Sequence, residues 1–357
     1  MLNYFYITIY FFCILLYFSI QDKKKLIDTY SNLIIFSLIV FFGTRYSLGG
    51  DFFRYECSFY NHQKLLETTY GCPNRSYEIG FNFLVKIFND LNLNFLTFNI
   101  LNLIFFCYAL IFYLKKFYPK EYLFFFILCF PILILVMPLG SIRQGLAFTF
   151  FLLFFSISNK YLLLKLTLFI IPFLFHKSAI IINFLIILTM FMGLIKSNNH
   201  LSSLIKKNFI MLIVLILGFL IFFVNLFYTP YIKIYVFGDT YYSFGVFPRG
   251  LILSFFAVII ILLKNKNSFI DQFYYYSSFF VIVIFLFSFN ISTIVDRVLL
   301  YLFPLIFHAI NIVMDYKIMK GNYIKLLIFF IFFIYLYLWE NFGTNYYLWD
   351  NYENYFL

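Results

Sequence analysis

A succession of long apolar runs, divided by short polar gaps, constrains this chain more than any other feature. A run of about 20 residues crosses the hydrocarbon core of a bilayer when helical. Lipid offers the backbone no hydrogen-bond partners, so such runs have to be helices. Of the 357 residues, 64% are hydrophobic and 11% charged. Soluble domains have about 45–50% apolar and about 25% charged residues. A water-facing fold with this composition would have too little polar surface to cover itself. The expected helices are 2–20, 27–43, 95–114, 121–138, 143–158, 162–175, 178–195, 209–228, 250–263, 272–290, 298–314 and 324–339, twelve in all. Segments 162–175 and 250–263 are short for a span. The spacing of Ile79, Phe81, Phe83, Leu84, Ile87 and Phe88 predicts an amphipathic helix over 78–88, lying at the membrane interface. The whole chain, 1–357, reads as one all-α polytopic membrane domain. The run from Leu2 to Ile20 has no basic segment before it and no small-residue cleavage site after it, so it is expected to stay as the first helix. No soluble domain or nucleotide-binding loop is visible, and nucleic acid is not an expected partner.

Orientation follows from the basic residues. With Lys23, Lys24 and Lys25 in the cytoplasm, alternation of the helices puts Lys115, Lys116, Lys120, Lys160, Lys165, Lys196, Lys206, Lys207, Lys264, Lys266, Lys317, Lys320 and Lys325 there too. Lys64, Lys86, Lys177 and Lys233 fall outside, as do both termini, the loops 44–94 and 229–249 and the tail 340–357. The arginines do the opposite. Arg45, Arg54, Arg75, Arg143, Arg249 and Arg297 are all that the chain has, and each falls on the outer side. In a Lys-rich sequence an indifferent site would carry Lys, and a basic residue would sit inside. The planar guanidinium fork suits phosphate and carboxylate better than an ammonium does. An anionic ligand at the outer face is one reading of this set. Pairing with nearby acids or lipid headgroups is the other.

Several outer segments hold candidate chemistry. Gly43-Thr44-Arg45-Tyr46-Ser47-Leu48-Gly49-Gly50-Asp51-Phe52-Phe53-Arg54-Tyr55 combines arginines, a carboxylate, tyrosines and glycines at a helix end. Glu78 opens the amphipathic helix, where a carboxylate also complements the helix dipole. Arg143 and Gln144 stand at the start of a helix after Pro138 and Gly140, a place suited to phosphate. Gly145 and Ala147 permit close helix approach there. His176 and Lys177 sit in a tight hairpin, and this His is a candidate for proton transfer, against a structural role. The loop ending in Arg249 is rich in tyrosine, suiting sugar rings or the membrane interface. Asp296 and Arg297 stand one turn before Tyr301 and could neutralise each other. Cys13, Cys107 and Cys129 read as small core residues. Cys57 and Cys72 could form a disulfide in an oxidising compartment. No Cys/His/acid constellation with metal-ligand spacing is present, so no metal or cofactor is expected.

Taken together, Arg45 with Gly50-Asp51 and Tyr55, Glu78-Ile79-Gly80-Phe81, Arg143-Gln144-Gly145-Leu146-Ala147, Phe175-His176-Lys177-Ser178-Ala179 and the Arg297/Tyr301 pair resemble the EpsG family, grouped with Wzy-type polysaccharide polymerases of bacterial inner membranes. The order is kept across most of the chain. Gly49-Gly50-Asp51-Phe52 departs from the more usual Gly-Thr-Asp-Tyr. The resemblance implies a glycosyltransferase-C-like helical fold and a metal-independent reaction. A growing glycan on undecaprenyl pyrophosphate would pass to a hydroxyl of the next lipid-linked oligosaccharide at the periplasmic face. It would make Arg143 and Arg297 the leaving-group stabilisers, His176 or Asp51 the base, and Arg45, Arg249, Gln144, Lys177, Tyr55, Glu78 and Tyr301 substrate contacts. Lipid-linked oligosaccharide and membrane lipid are the implied partners, with a chain-length regulator and a flippase as further ones. A flippase would show internal repeats and mid-membrane charge, and neither is visible. A membrane O-acyltransferase would take its donor from the cytoplasmic side.

Overall fold

The computed structural model describes residues 4–21, 23–61, 78–197, 243, 245–263, 268–289, 291–316, 321–343, 346, 349 and 353–354. Among them the regular structure is helical apart from one two-residue antiparallel pairing. The expected helix 209–228, Cys72, Arg75 and most of the loop 229–249 lie outside the described residues. The described residues cluster into two compact units, 1–177 with 322–357, and 178–321.

The first unit contains α1 (Phe5–Ile20), α2 (Lys24–Leu38, continued by a π turn Ile39–Gly43), β1 (Arg45–Tyr46), α3 (Phe52–Asn61), α4 (Ile79–Asp90), α5 (Phe95–Phe117), α6 (Tyr122–Leu128), a π-helical segment (Phe130–Gly140), α7 (Ile142–Ser156) and α8 (Leu162–Phe175). The second contains α9 (Ala179–Ser197), α10 (Val246–Leu263), α11 (Phe269–Leu286), α12 (Ser292–Tyr301) and α13 (Pro304–Asp315). The chain then returns to the first unit with α14 (Gly321–Phe342) and β2 (Glu353–Asn354).

Five helices are long and apolar enough to cross a membrane alone, and seven if each of two bent pairs is one span. This is a multi-pass pattern, with four shorter apolar helices beside it. Large side chains such as Leu163 (80% exposed), Leu262 (71%) and Leu286 (70%) face outward. Apolar surface on that scale needs lipid rather than water as its solvent.

Two expectations of unbroken helices are corrected. The run 121–138 bends by 64° between α6 and the π segment, and 298–314 bends by 51° between α12 and α13. Pro131 stands at the start of the π segment, with Pro138 inside it, and Pro304 opens α13. Proline lacks an N–H and its ring clashes with the carbonyl four residues back, so the helix cannot run straight through. The amphipathic helix forms as α4, where Gly80, Phe81 and Val85 are buried. Gly80 lies against α8, since a Cβ there would stand 2.8 Å from the Leu174 carbonyl oxygen. A second helix in the segment 44–94, α3, was not expected. Its inner face of Phe52, Tyr55 and Phe59 packs on Phe81, Phe95 and Phe98.

One end of the first unit is a lysine network. Lys325 Nζ lies 2.6 Å from Glu121 and donates to Tyr17 Oη at 2.9 Å. Lys115 pairs with Asp28 at 2.8 Å, and Tyr122 Oη donates to the same carboxylate at 2.7 Å. Lys116 donates to the carbonyls of Phe155 and Ser156 at the C-terminus of α7, where the helix dipole favours a cation. Helix α5 runs from this end, at Lys115 and Lys116, back to Phe95 at the end that carries the arginines.

Candidate functional site

In the first unit the site grows from a break in helical order. At the π turn Ile39–Gly43 the chain leaves α2 and enters β1, where Arg45 faces Asn354 and Tyr46 faces Glu353 across the antiparallel pair. Arg45 is 1% exposed. Its Nε, Nη1 and Nη2 donate to the carbonyls of Leu48 (3.2 Å), Phe42 (2.8 Å) and Leu139 (3.0 Å). Gly49 has φ +111°, and a Cβ there would lie 2.8 Å from the same Leu139 oxygen. Asn102 donates to the neighbouring Pro138 carbonyl at 3.2 Å. The end of the π segment, just before Arg143, is thus gripped from three directions. The indole of Trp349 covers it, 3.2 Å from where a Cβ on Gly140 would be.

Arg143 sits in the first turn of α7. Its Nη1 donates to Glu78 Oε2, its Nε lies 3.4 Å from Tyr55 Oη, and its guanidinium carbon is 5.8 Å from the Tyr55 ring centroid. Both charged side chains are largely buried. Glu78 precedes α4 but makes no side-chain cap there. Its carboxylate goes to Arg143 instead, so the guanidinium is not the uncompensated charge expected from its place at a helix start. Gly145 brings α7 onto the π segment, where a Cβ would meet Met137 at 2.9 Å and Pro138 at 3.0 Å. Gln144 is buried beside it. His176 is buried where α8 ends, and its backbone N–H donates to the Pro172 carbonyl at 3.0 Å. Leu174, the residue on which Gly80 packs, lies two positions before His176, and Lys177 is exposed. Asp51 pairs with Arg54 at 3.1 Å on the exposed start of α3. Cys57 is disulfide-bonded, and Cys13, Cys107 and Cys129 are free.

The second unit holds another arginine–carboxylate pair. Arg249, in the first turn of α10, donates from Nε to Asp296 Oδ1 at 2.7 Å and from Nη2 to Oδ2 at 2.5 Å. Ser243 Oγ donates to Oδ2 at 2.8 Å, and the Ser243 N–H donates to Ser292 Oγ at 3.0 Å. Asp296 therefore answers Arg249 rather than its neighbour Arg297. Arg297 is half-buried and Tyr301 fully buried on the same helix.

The structure thus brings Tyr55, Glu78 and Arg143 into direct contact, and Arg249 with Asp296. It puts Arg45 behind the first group as a fastener of the loop. Sequence reasoning set Asp296 against Arg297 instead of Arg249, and missed Ser243, Asn102 and Trp349 as partners. A carboxylate one turn into an apolar helix was the only signal for any of them.

Helices of spanning length, with Arg143 and Arg249 held by carboxylates at helix starts, define a multi-pass helical membrane protein with buried arginine–carboxylate pairs. The chain belongs to the EpsG family, a family of Wzy-type polysaccharide polymerases, whose model matches residues 28–356. No curated protein and no solved structure matches it. Membership makes polysaccharide biosynthesis at a membrane the setting for these side chains.

Proposed function

We propose that this protein polymerises undecaprenyl-pyrophosphate-linked oligosaccharide repeat units at the outer face of a bacterial inner membrane. In this reading it has about twelve spans, a glycosyltransferase-C-like architecture and periplasmic termini. The growing glycan leaves its lipid pyrophosphate and joins a hydroxyl of the incoming lipid-linked unit. The bond from the anomeric carbon to the phosphate oxygen breaks, and one to the acceptor oxygen forms. The acceptor proton passes to His176, with Asp51 as the second candidate. The leaving pyrophosphate gains negative charge, which preoriented cations stabilise more than they stabilise the ground state. Arg143 and Arg297 are assigned to that charge, and Arg249 to binding the same chemical group. Gln144, Lys177, Tyr55 and Tyr301 are assigned to phosphate and sugar contacts. Arg45 and Glu78 are assigned to holding the arginine-bearing segments in place.

The observation that carries the reading is Arg143 fixed by Glu78 and Tyr55 in a unit whose other end is a lysine network. A bundle that only needed charge for topology would have no use for an oriented guanidinium. The test is complementation of a deletion strain with Arg143→Ala, His176→Ala and Arg297→Ala at matched membrane levels. Loss of the long-polysaccharide ladder with single repeats still at the surface is expected. A full ladder from all three would refute the assignments, and absence even of single repeats would point to a flippase. Labelling a cysteine at Ser178 from outside intact cells checks the orientation.

A further inference from the structure

Arg249 is held more tightly than a helix-to-helix ion pair requires. Asp296 takes two of its nitrogens side-on. The carboxylate is itself tied to Ser243 Oγ, and the Ser243 backbone to Ser292 on the helix that bears Asp296. Gly245 packs closely against the guanidinium. A Cβ there would fall 2.4 Å from Nη2, 2.8 Å from Cζ and 2.9 Å from Nη1, so the flat guanidinium lies directly on the glycine. Arg249 and Asp296 are both buried. A buried pair of this kind is poor value as mere stabilisation, because apolar residues of similar volume often serve as well. What Asp296, Ser243 and Gly245 do together is allow one orientation of one fork.

We infer that Asp296, Ser243 and Gly245 are positioning residues that set the Arg249 guanidinium for a pyrophosphate group, lipid-borne or free. The inference rests on the polymerase reading for its ligand class, but its geometry belongs to the second unit alone. Arginine is suited to the task because its planar donors match phosphate oxygens and lose little freedom on binding when already fixed. Turning the fork by one rotamer would displace its donors by more than 1 Å, and a misplacement of that order can cost about 100-fold.

The test uses full-length protein in detergent with tritiated farnesyl pyrophosphate as probe, and the polysaccharide ladder of a complemented deletion strain in parallel. Asp296→Asn keeps the shape and removes the charge. Gly245→Ala keeps the charge and pushes the fork off its seat. Both are expected to weaken probe retention by about tenfold or more, within the about 100-fold limit above. The exchange of Arg249→Asp with Asp296→Arg is expected to restore the melting temperature lost in Arg249→Asp alone, but not probe binding. A purely structural pair predicts that the exchange restores both, which would overturn the inference. So would wild-type binding in Asp296→Asn, which stands as the test where Gly245→Ala fails to fold, or failure of the unaltered protein to retain the probe. Competition by inorganic pyrophosphate at equal strength identifies the free anion as sufficient, whereas competition only by the prenylated form identifies the lipid-borne one. Either agrees with the inference. Probe binding in a protein whose deletion leaves the ladder intact would refute the polymerase reading and spare the inference. A normal ladder and normal binding in Asp296→Asn would do the reverse.

Discussion

Replacing Arg143 by leucine tests two things at once, and the structure shows how to separate them. The side chains of Arg143 and Glu78 are 19% and 13% exposed. Removing one member of a buried pair strands the other, at a cost of about 3–5 kcal/mol. The residual exposure of both groups puts the expected value near the lower bound, about 3 kcal/mol. Folded proteins hold only about 5–15 kcal/mol in reserve, so Arg143→Leu alone could lose its ladder through lost protein. The double variant Arg143→Leu/Glu78→Leu removes both charges and leaves no stranded carboxylate. Its melting temperature in detergent is expected to return close to that of the unaltered protein; since Glu78→Leu alone strands Arg143 at a similar cost, the double-mutant cycle is expected to give a coupling of about 6 kcal/mol. Its polysaccharide ladder is expected to remain absent, because the missing guanidinium cannot be replaced by packing. A full ladder from the double variant would show that Arg143 serves stability only. A single variant that melts like the unaltered protein would show that Glu78 does not depend on it, and the argument for an oriented arginine would fail.

Three further outcomes follow from close contacts. Gly145→Ala places a methyl 2.9 Å from the Met137 backbone; overpacking of about 1–3 kcal/mol is expected to exceed the helix-propensity gain of about 1 kcal/mol, with a lower melting temperature and a shortened ladder. Trp349→Ala removes an indole, 7% exposed in its residue, from above Gly49 and Gly140, and is expected to cost about 3–5 kcal/mol and to open the segment from Gly43 to Asp51 to protease. Lys325→Ala strands Glu121 at the lysine end, so membrane abundance is expected to fall while activity per molecule stays the same, as quantitative blotting against ladder intensity would show.

Most of the described helices were legible as apolar runs. Segment 162–175 matches α8 residue for residue, because an apolar run between polar ends has no other way to satisfy its backbone in a bilayer. The bends were not legible in the same way, although their prolines are in plain view. Hydropathy does not register a proline inside an apolar run, so 121–138 looked as continuous as any other segment. Helix α3 was hidden for another reason. Phe52, Tyr55 and Phe59 do recur at helical spacing, but two glycines and several charges in the same stretch read as loop. What decides for helix is packing on Phe81 and Phe95 from elsewhere in the chain, and no local pattern contains that.

The arginines stood out in the sequence as a set because the expected topology puts them opposite most of the lysines. Their partners did not, because partnership is tertiary. Asp296 and Arg297 look like a pair when written side by side, yet neighbours on a helix point about 100° apart. Asp296 reaches Arg249 from 47 positions away, and Glu78 reaches Arg143 from 65. These distant carboxylates change what the arginines can do under the proposed chemistry. A lone guanidinium attracts any anion and must be ordered each time one binds. One already bonded on one edge, with its charge partly balanced, attracts a resting phosphate less and meets a developing negative charge with no reorganisation. That is the condition under which a cation favours the transition state over the bound substrate. The carboxylates are therefore expected to matter more for turnover than for affinity wherever the arginine touches the departing phosphate. Glu78→Gln should accordingly lower kcat more than it raises KM in a reconstituted polymerisation assay, and an effect confined to KM would show that Glu78 only helps to hold the substrate.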